Sequence, residues 1–205
     1  MTKIEELKNE VWRITEIFLN AKENFNYSYY LHRPDTTQEA EYLKNDRDLI
    51  FIRHSLWRLS IIELTKLFSD NPRTHKFNLL HFLSKLKPTG YYSDVKIDTM
   101  KIAEWETLIF TEDKLINDIV TLRDKIYAHT DPDKDEYRKI EIYFTQIETL
   151  FALVGSIITE VNLLAFDMST FLSTPTFDRK DFTLVKILAE AKQNEINEIL
   201  KYIKK

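Results

Sequence analysis

The sequence predicts an all-α fold, a helical bundle of about five to six helices, and three observations carry the prediction. Only two glycines, Gly90 and Gly155, and five prolines occur in 205 residues, too few breakers for a turn-rich β fold. Apolar residues recur at three- and four-residue steps over long stretches, the period of a half-buried helix. Cap and stop residues fall between those stretches, at Asp35-Thr36-Thr37, at Ser69-Asp70-Asn71-Pro72 and at Asp131-Pro132-Asp133. The length suits one domain with a sizeable core.

The first helix is predicted over about 3–31. Ile4, Leu7, Val11, Ile14, Ile17, Phe18 and Ala21 form one stripe, and Phe25, Tyr27, Tyr29 and Tyr30 follow as an aromatic end. Those aromatics suit a core or an interface better than base stacking. Pro34 closes the helix, because a residue before proline is pushed off helical geometry. A second helix is predicted over about 38–68, capped by threonine with Glu39 in its first turn. Its expected core side is Leu49, Ile52, Leu56, Leu59, Ile61, Ile62, Leu64 and Leu67, and it also carries Arg47, Arg53, His54 and Arg58. A third, about 75–86, puts Phe77, Leu80, Leu83 and Leu86 on one face. Residues 87–92 read as a loop and as a candidate mobile insertion. A fourth helix, about 96–129, has an internal start signal at Glu112-Asp113 and is expected to break there, with Leu115, Ile119, Leu122 and Ile126 striping its second half. The fifth, about 135–168, is the most apolar, with Ile140, Tyr143, Phe144, Ile147, Leu150, Phe151, Val154, Ile158 and Val161, and belongs at the centre. The last, about 181–204, carries Leu184, Ile187, Leu188, Ile196, Ile199, Leu200 and Ile203. Residues 1–168 are expected to form the bundle. Residues 169–205 form a connection and an amphipathic helix packed on the bundle or on a partner, within the same domain.

Composition removes several classes of function. Without cysteine there is no disulfide, thiolate metal site or cysteine nucleophile, which fits a reducing, cytoplasmic setting. The N-terminal residues lack an apolar signal core. A net charge of −4 argues against a general basic nucleic-acid coat but leaves room for a local basic cleft. Residues 150–166 are apolar but carry Ser156, Thr159, Glu160 and Asn162, so a core helix is expected rather than a membrane span. Two glycines leave no phosphate-cradling loop. Asp131, Asp133 and Asp135 alternate like a calcium loop, but the glycine and distant glutamate of such a loop are missing. His75 and His81 are six apart, where helical metal ligands prefer four. No cofactor and no metal are expected.

The stretch that can carry chemistry is Arg123-Asp124-Lys125-Ile126-Tyr127-Ala128-His129-Thr130-Asp131. Arginine offers a permanent cationic fork to phosphate oxygens. Histidine exchanges protons near neutrality. Together these suit metal-free cleavage of RNA by its own 2′-hydroxyl, with Asp124 orienting Arg123 or an imidazole. In an ideal α-helix six steps leave Arg123 and His129 about 120° and about 9 Å apart. Two copies at a two-fold interface could assemble both pairs around one cleft. Arg47 and Arg58, eleven residues apart on one face, are candidate RNA-binding residues; an ordinary solvated face is the plain alternative. An Arg and a His near a helix end also serve simple capping.

The same stretch, with Trp57-Arg58-Leu59-Ser60-Ile61-Ile62-Glu63-Leu64-Thr65-Lys66-Leu67-Phe68-Ser69-Asp70 before it, resembles the HEPN superfamily (higher eukaryotes and prokaryotes nucleotide-binding domains), in its abortive-infection AbiU-like branch. The resemblance spans about 45–165. It implies an HEPN-like helical bundle that dimerises and, in active members, a metal-independent endoribonuclease of a defence or toxin–antitoxin system. Arg123 and His129 match the catalytic pair and Asp124 the polar position after the arginine. RNA, a second copy of the chain and an antitoxin or other protein are the implied partners; no membrane is. In some toxins of the superfamily a tyrosine two residues after the histidine is modified, and here that position is Asp131. Other members bind RNA, nucleotide or protein without cleaving, which is the alternative reading.

Overall fold

The apolar stripes become helices in the computed structural model, which describes residues 2–69, 76–127, 139–169, 172 and 183–203. In chain order these are α1 (Lys3–His32), α2 (Thr37–Asn45), α3 (Arg47–Thr65), α4 (Leu79–Leu86), α5 (Thr99–Thr111), α6 (Asp113–Leu122), α7 (Phe144–Phe166) and α8 (Leu184–Ile203). A π-helical turn, Arg123–Tyr127, follows α6 directly. No strand forms among the described residues, and the fold is all-α. The chain divides into two compact units, residues 1–22 with 58–173, and residues 23–57 with 174–205.

Most departures from the expected helices have a local cause. The predicted second helix is two helices. Asp46 takes an extended conformation between them, and its carboxylate accepts the Leu49 N–H at 2.9 Å, which starts α3 as a new helix. Thr36 caps α2 through the Glu39 N–H, and the Glu39 carboxylate reaches back to the Asp35 N–H at 2.9 Å, a variant of the expected capping signal. Ile52 and Leu59 do not join the core side of α3. The buried Leu49, Ser60, Ile61 and Leu64 define its inner face, and Ile52 and Leu59 fall about a third of a turn away, in solvent. Helix α4 starts at Leu79, where the Asn78 side chain accepts the His81 N–H, and it buries Leu79, Phe82, Leu83 and Leu86 rather than Phe77 and Leu80. The expected break after Thr111 is present, at Glu112. Residues 140–143 are not helical, so Ile140 and Tyr143 precede α7 instead of striping it; Gln146 receives the Tyr143 N–H at 2.8 Å and opens the helix at Phe144. Asp167, in the left-handed conformation at φ 52°, ends it.

In the first unit α7 is the central element, as its composition suggests. Ile147, Leu150, Phe151, Val154, Ile157, Ile158 and Val161 are buried. By length and composition α7 could cross a membrane, but this buried face is that of a core helix. Gly155 lets it approach α1: a Cβ there would meet the Phe18 ring at 3.3 Å, and Phe18 packs edge-on against Phe151. Trp105 on α5 donates to Glu160 on α7 at 2.8 Å, and Lys101 pairs with the same carboxylate. Burial pulls the Glu160 carboxyl upward, but these two donors outweigh it and hold it below the ordinary carboxylate range.

The loop after α4 is tied down rather than loose. Glu10 is buried on α1, where it accepts Lys85 Nζ at 2.6 Å and the Tyr92 hydroxyl at 2.8 Å. Burial and this hydrogen bond together raise the Tyr92 hydroxyl well above its ordinary value. Gly90 turns so close to α4 that a Cβ would lie 2.3 Å from the Lys85 carbonyl oxygen.

The second unit has a smaller core of Tyr30, Leu31, Leu43, Leu49 and Val185. Phe25 is buried and stacks on Tyr29 with centroids 6.0 Å apart, so this end of α1 uses its aromatics for packing. Helix α8 joins through Val185 and Ala189, and the Gln38 side chain donates to the Ala189 carbonyl at 3.2 Å. Of the expected face Leu188 packs against this core, whereas Leu184 and Ile187 point to solvent, as do Ile196, Ile199, Leu200 and Ile203.

Replacing Glu10 with alanine strands the Lys85 ammonium and the Tyr92 hydroxyl in a largely buried site. Removing one partner of such a pair costs about 3 kcal/mol. A urea midpoint lowered to match, with an unchanged denaturant slope, is the expected result.

Candidate functional site

The motif begins where α6 ends. Leu115, Ile116, Ile119 and Leu122 are buried, which sets the roll of α6 and brings Arg123 out at the first position after it. From Arg123 to Tyr127 the backbone switches to a π-helical turn, whose i→i+5 pairing accommodates an extra residue. The ideal α-geometry expected between Arg123 and His129 therefore does not hold across this turn. His129 itself lies outside the described residues, as do His75, Asp131, Asp133 and Asp135. Ile126, the last residue of the expected stripe, is only half-buried.

Arg123 is largely covered, with 13% of its side chain exposed, and Asp124 is half-exposed. Arg123 Nε lies 2.7 Å from Asp124 Oδ1, at ion-pair distance although the N–H is not aimed in line at that oxygen. Asp124 thus faces the arginine of its own chain.

The far end of the turn is held from α3. Arg58 Nη2 donates to the Tyr127 carbonyl oxygen at 2.9 Å, and the Arg58 guanidinium lies over the Tyr127 ring, 5.6 Å from its centroid. A π turn loosens the normal backbone ladder, and a donor from a neighbouring helix can take up a carbonyl at its end. Arg58 was singled out in the sequence as a basic residue, but its link to the motif backbone crosses 69 residues and has no local signature. Tyr127 was not singled out at all. Arg47 is the first residue of α3 and is exposed, in the second unit. No group of three or more His, Asp or Glu side chains among the described residues is placed to hold a metal ion.

An all-α bundle that carries an Arg-Asp pair at a helix end, followed by a histidine six residues after the arginine, defines a class of small helical domains with a polar motif at one helix terminus. Within that class the assignment is specific: the family model described as AbiU2 matches residues 2–189, and the chain belongs to this AbiU2 family of HEPN domains. No curated protein and no solved structure shows a significant match.

Arg58→Ala removes an exposed side chain and its hydrogen bond to the Tyr127 carbonyl, so the fold should survive with a stability loss of about 1 kcal/mol. Amide hydrogen exchange should speed up at 123–127 while α7 keeps its protection. Arg58→Lys should restore little, because an ammonium lacks the planar fork that both donates and stacks.

Proposed function

We propose that this chain is a metal-independent endoribonuclease of a defence or toxin–antitoxin system, acting in the cytoplasm as a homodimer. The observation that carries the reading is the Arg123–Asp124 ion pair at the head of the turn leading to His129, in a chain of the AbiU2 family. His129 takes the proton from the ribose 2′-hydroxyl, whose oxygen attacks the adjacent phosphorus. The P–O5′ bond breaks, leaving a 2′,3′-cyclic phosphate on one fragment. The departing 5′-oxygen receives a proton from an imidazolium, supplied by His129 or by its counterpart in a facing copy. Arg123 stabilises the charge that builds on the phosphorus oxygens, and Asp124 orients Arg123. Arg58 and Arg47 contact the RNA backbone, and RNA, the second copy and an antitoxin or other protein are the partners of this reading.

One observation favours a second reading. Arg123 is mostly covered, with little surface to offer a reacting phosphate, as expected of an arginine that supports a non-catalytic module binding RNA, nucleotide or a protein partner.

A cleavage assay on purified protein with chelator present separates the two. Wild type should cut RNA, and Arg123→Ala and His129→Ala should each lose at least about 100-fold while keeping the helical circular dichroism. Cleavage retained in either variant overturns the catalytic roles. RNA bound but left intact by wild type establishes the second reading instead.

A further inference from the structure

The second unit contains a pocket with two cationic side chains in its lining. It has a volume of about 260 Å³ and lies between the end of α1, α2 and the first half of α3. Lys44 and Arg53 line it together with His32, and no carboxylate does. His54 stands beside them, its ring edge-on to His32 with centroids 5.7 Å apart. The permanent charges on the lining, Lys44 and Arg53, are both positive, a field that favours an anion.

Two further observations point the same way. Arg53 Nε is shut off from solvent and makes no hydrogen bond among the described residues. Buried charged donors ordinarily have an acceptor, so this one asks for a ligand. Arg53 disfavours the protonated form of His32. Burial first, and then Arg53, hold both imidazoles below the ordinary histidine value. Ser28 organises the cluster: its hydroxyl donates to the Arg53 carbonyl at 3.1 Å, and its own carbonyl lies 2.7 Å from His32 Nδ1. That contact fits an Nδ1–H donor, which leaves Nε2 as the second ring position, a donor once the ring is protonated.

We propose that this pocket binds the phosphate group of a phosphorylated ligand, gripped by Arg53 and Lys44 with His32 beside it. Arginine supplies the directional fork and lysine the point charge, the usual division of labour in phosphate recognition. Leu31, Leu43 and Ile50 form an apolar floor that keeps the dielectric low and strengthens the attraction. The site is independent of the Arg123 motif and of whether that motif cleaves RNA.

The test follows the imidazole resonances of His32 and His54 by NMR while the whole protein is titrated with inorganic phosphate, and separately with a 2′-O-methyl oligoribonucleotide that cannot be cleaved. Sodium chloride at matched ionic strength is the control. Both resonances should move in a saturable way with phosphate and not with chloride, and Arg53→Gln should weaken binding at least 10-fold. Lys44→Gln, an exposed change that leaves the fold intact, should weaken it several-fold and decides the matter if Arg53→Gln does not fold. A response to phosphate alone identifies a site for a free or terminal phosphate, and a response to both ligands a site that also accepts a phosphodiester. A response to the oligonucleotide alone, with the same Arg53 and Lys44 dependence, assigns the site to a phosphodiester chain. No saturable shift with either ligand, or binding unchanged in the folded variants, overturns the proposal.

Discussion

The first unit depends on one buried stripe, the face of α7 that runs from Ile147 to Val161. Leu150, Val154 and Ile157 have no exposed surface at all, and burying such side chains contributes about 1.5–3 kcal/mol each relative to solvent. The single glycine on this helix, Gly155, sits where the Phe18 ring of α1 comes close. Polar contacts then choose among the ways helices could pack on the stripe. Glu160 holds α5 through Trp105 and Lys101, and Glu10 holds the loop after α4. Apolar burial supplies the driving force, which has no direction, and these few hydrogen bonds supply the direction.

The motif inherits its position from that packing. Helix α6 is seated by Leu115, Ile119 and Leu122, so Arg123 emerges at a place set by the core rather than by its own contacts. Beyond it the backbone gives up regular α-geometry for a π turn, a form that stores local adaptability and often marks functional segments. The turn is pinned at both ends. Asp124 engages Arg123 at its start, and Arg58 takes the Tyr127 carbonyl at its finish. Arg58 is thereby committed to backbone and ring contacts.

The second unit solves a different problem with fewer apolar residues. Its core of five side chains is supplemented by caps and by side chain–backbone bonds, such as Gln38 to Ala189 and Ser28 to Arg53. Placing the Arg53 Nε beside so small a core, shut off from water, costs desolvation energy. A domain tolerates that arrangement where the cost is offset by a bound partner of opposite charge.

The sequence alone determined the fold class, the family and the order of the helices. Helical period, scarce glycine and local caps are short-range properties, and they are written within a few residues of where they act. The break at Glu112 was legible for that reason, and so was the Thr36 cap. The arginine, aspartate and histidine of the motif were legible as residue types at a spacing. Tertiary structure alone decided the rest. Whether Ile52 and Leu59 face the core depends on which other helices α3 meets. That α8 buries Val185 and Ala189 beside Leu188, rather than Leu184 and Ile187, depends on the helices it meets. The π turn has no local sequence rule, and the contacts that hold it reach across from a distant helix. The cationic pocket joins His32, Lys44 and Arg53 from three elements whose charges look like ordinary surface decoration until the helices pack. Secondary structure follows from neighbours in sequence; orientation, exposure and the meeting of charges follow from neighbours in space.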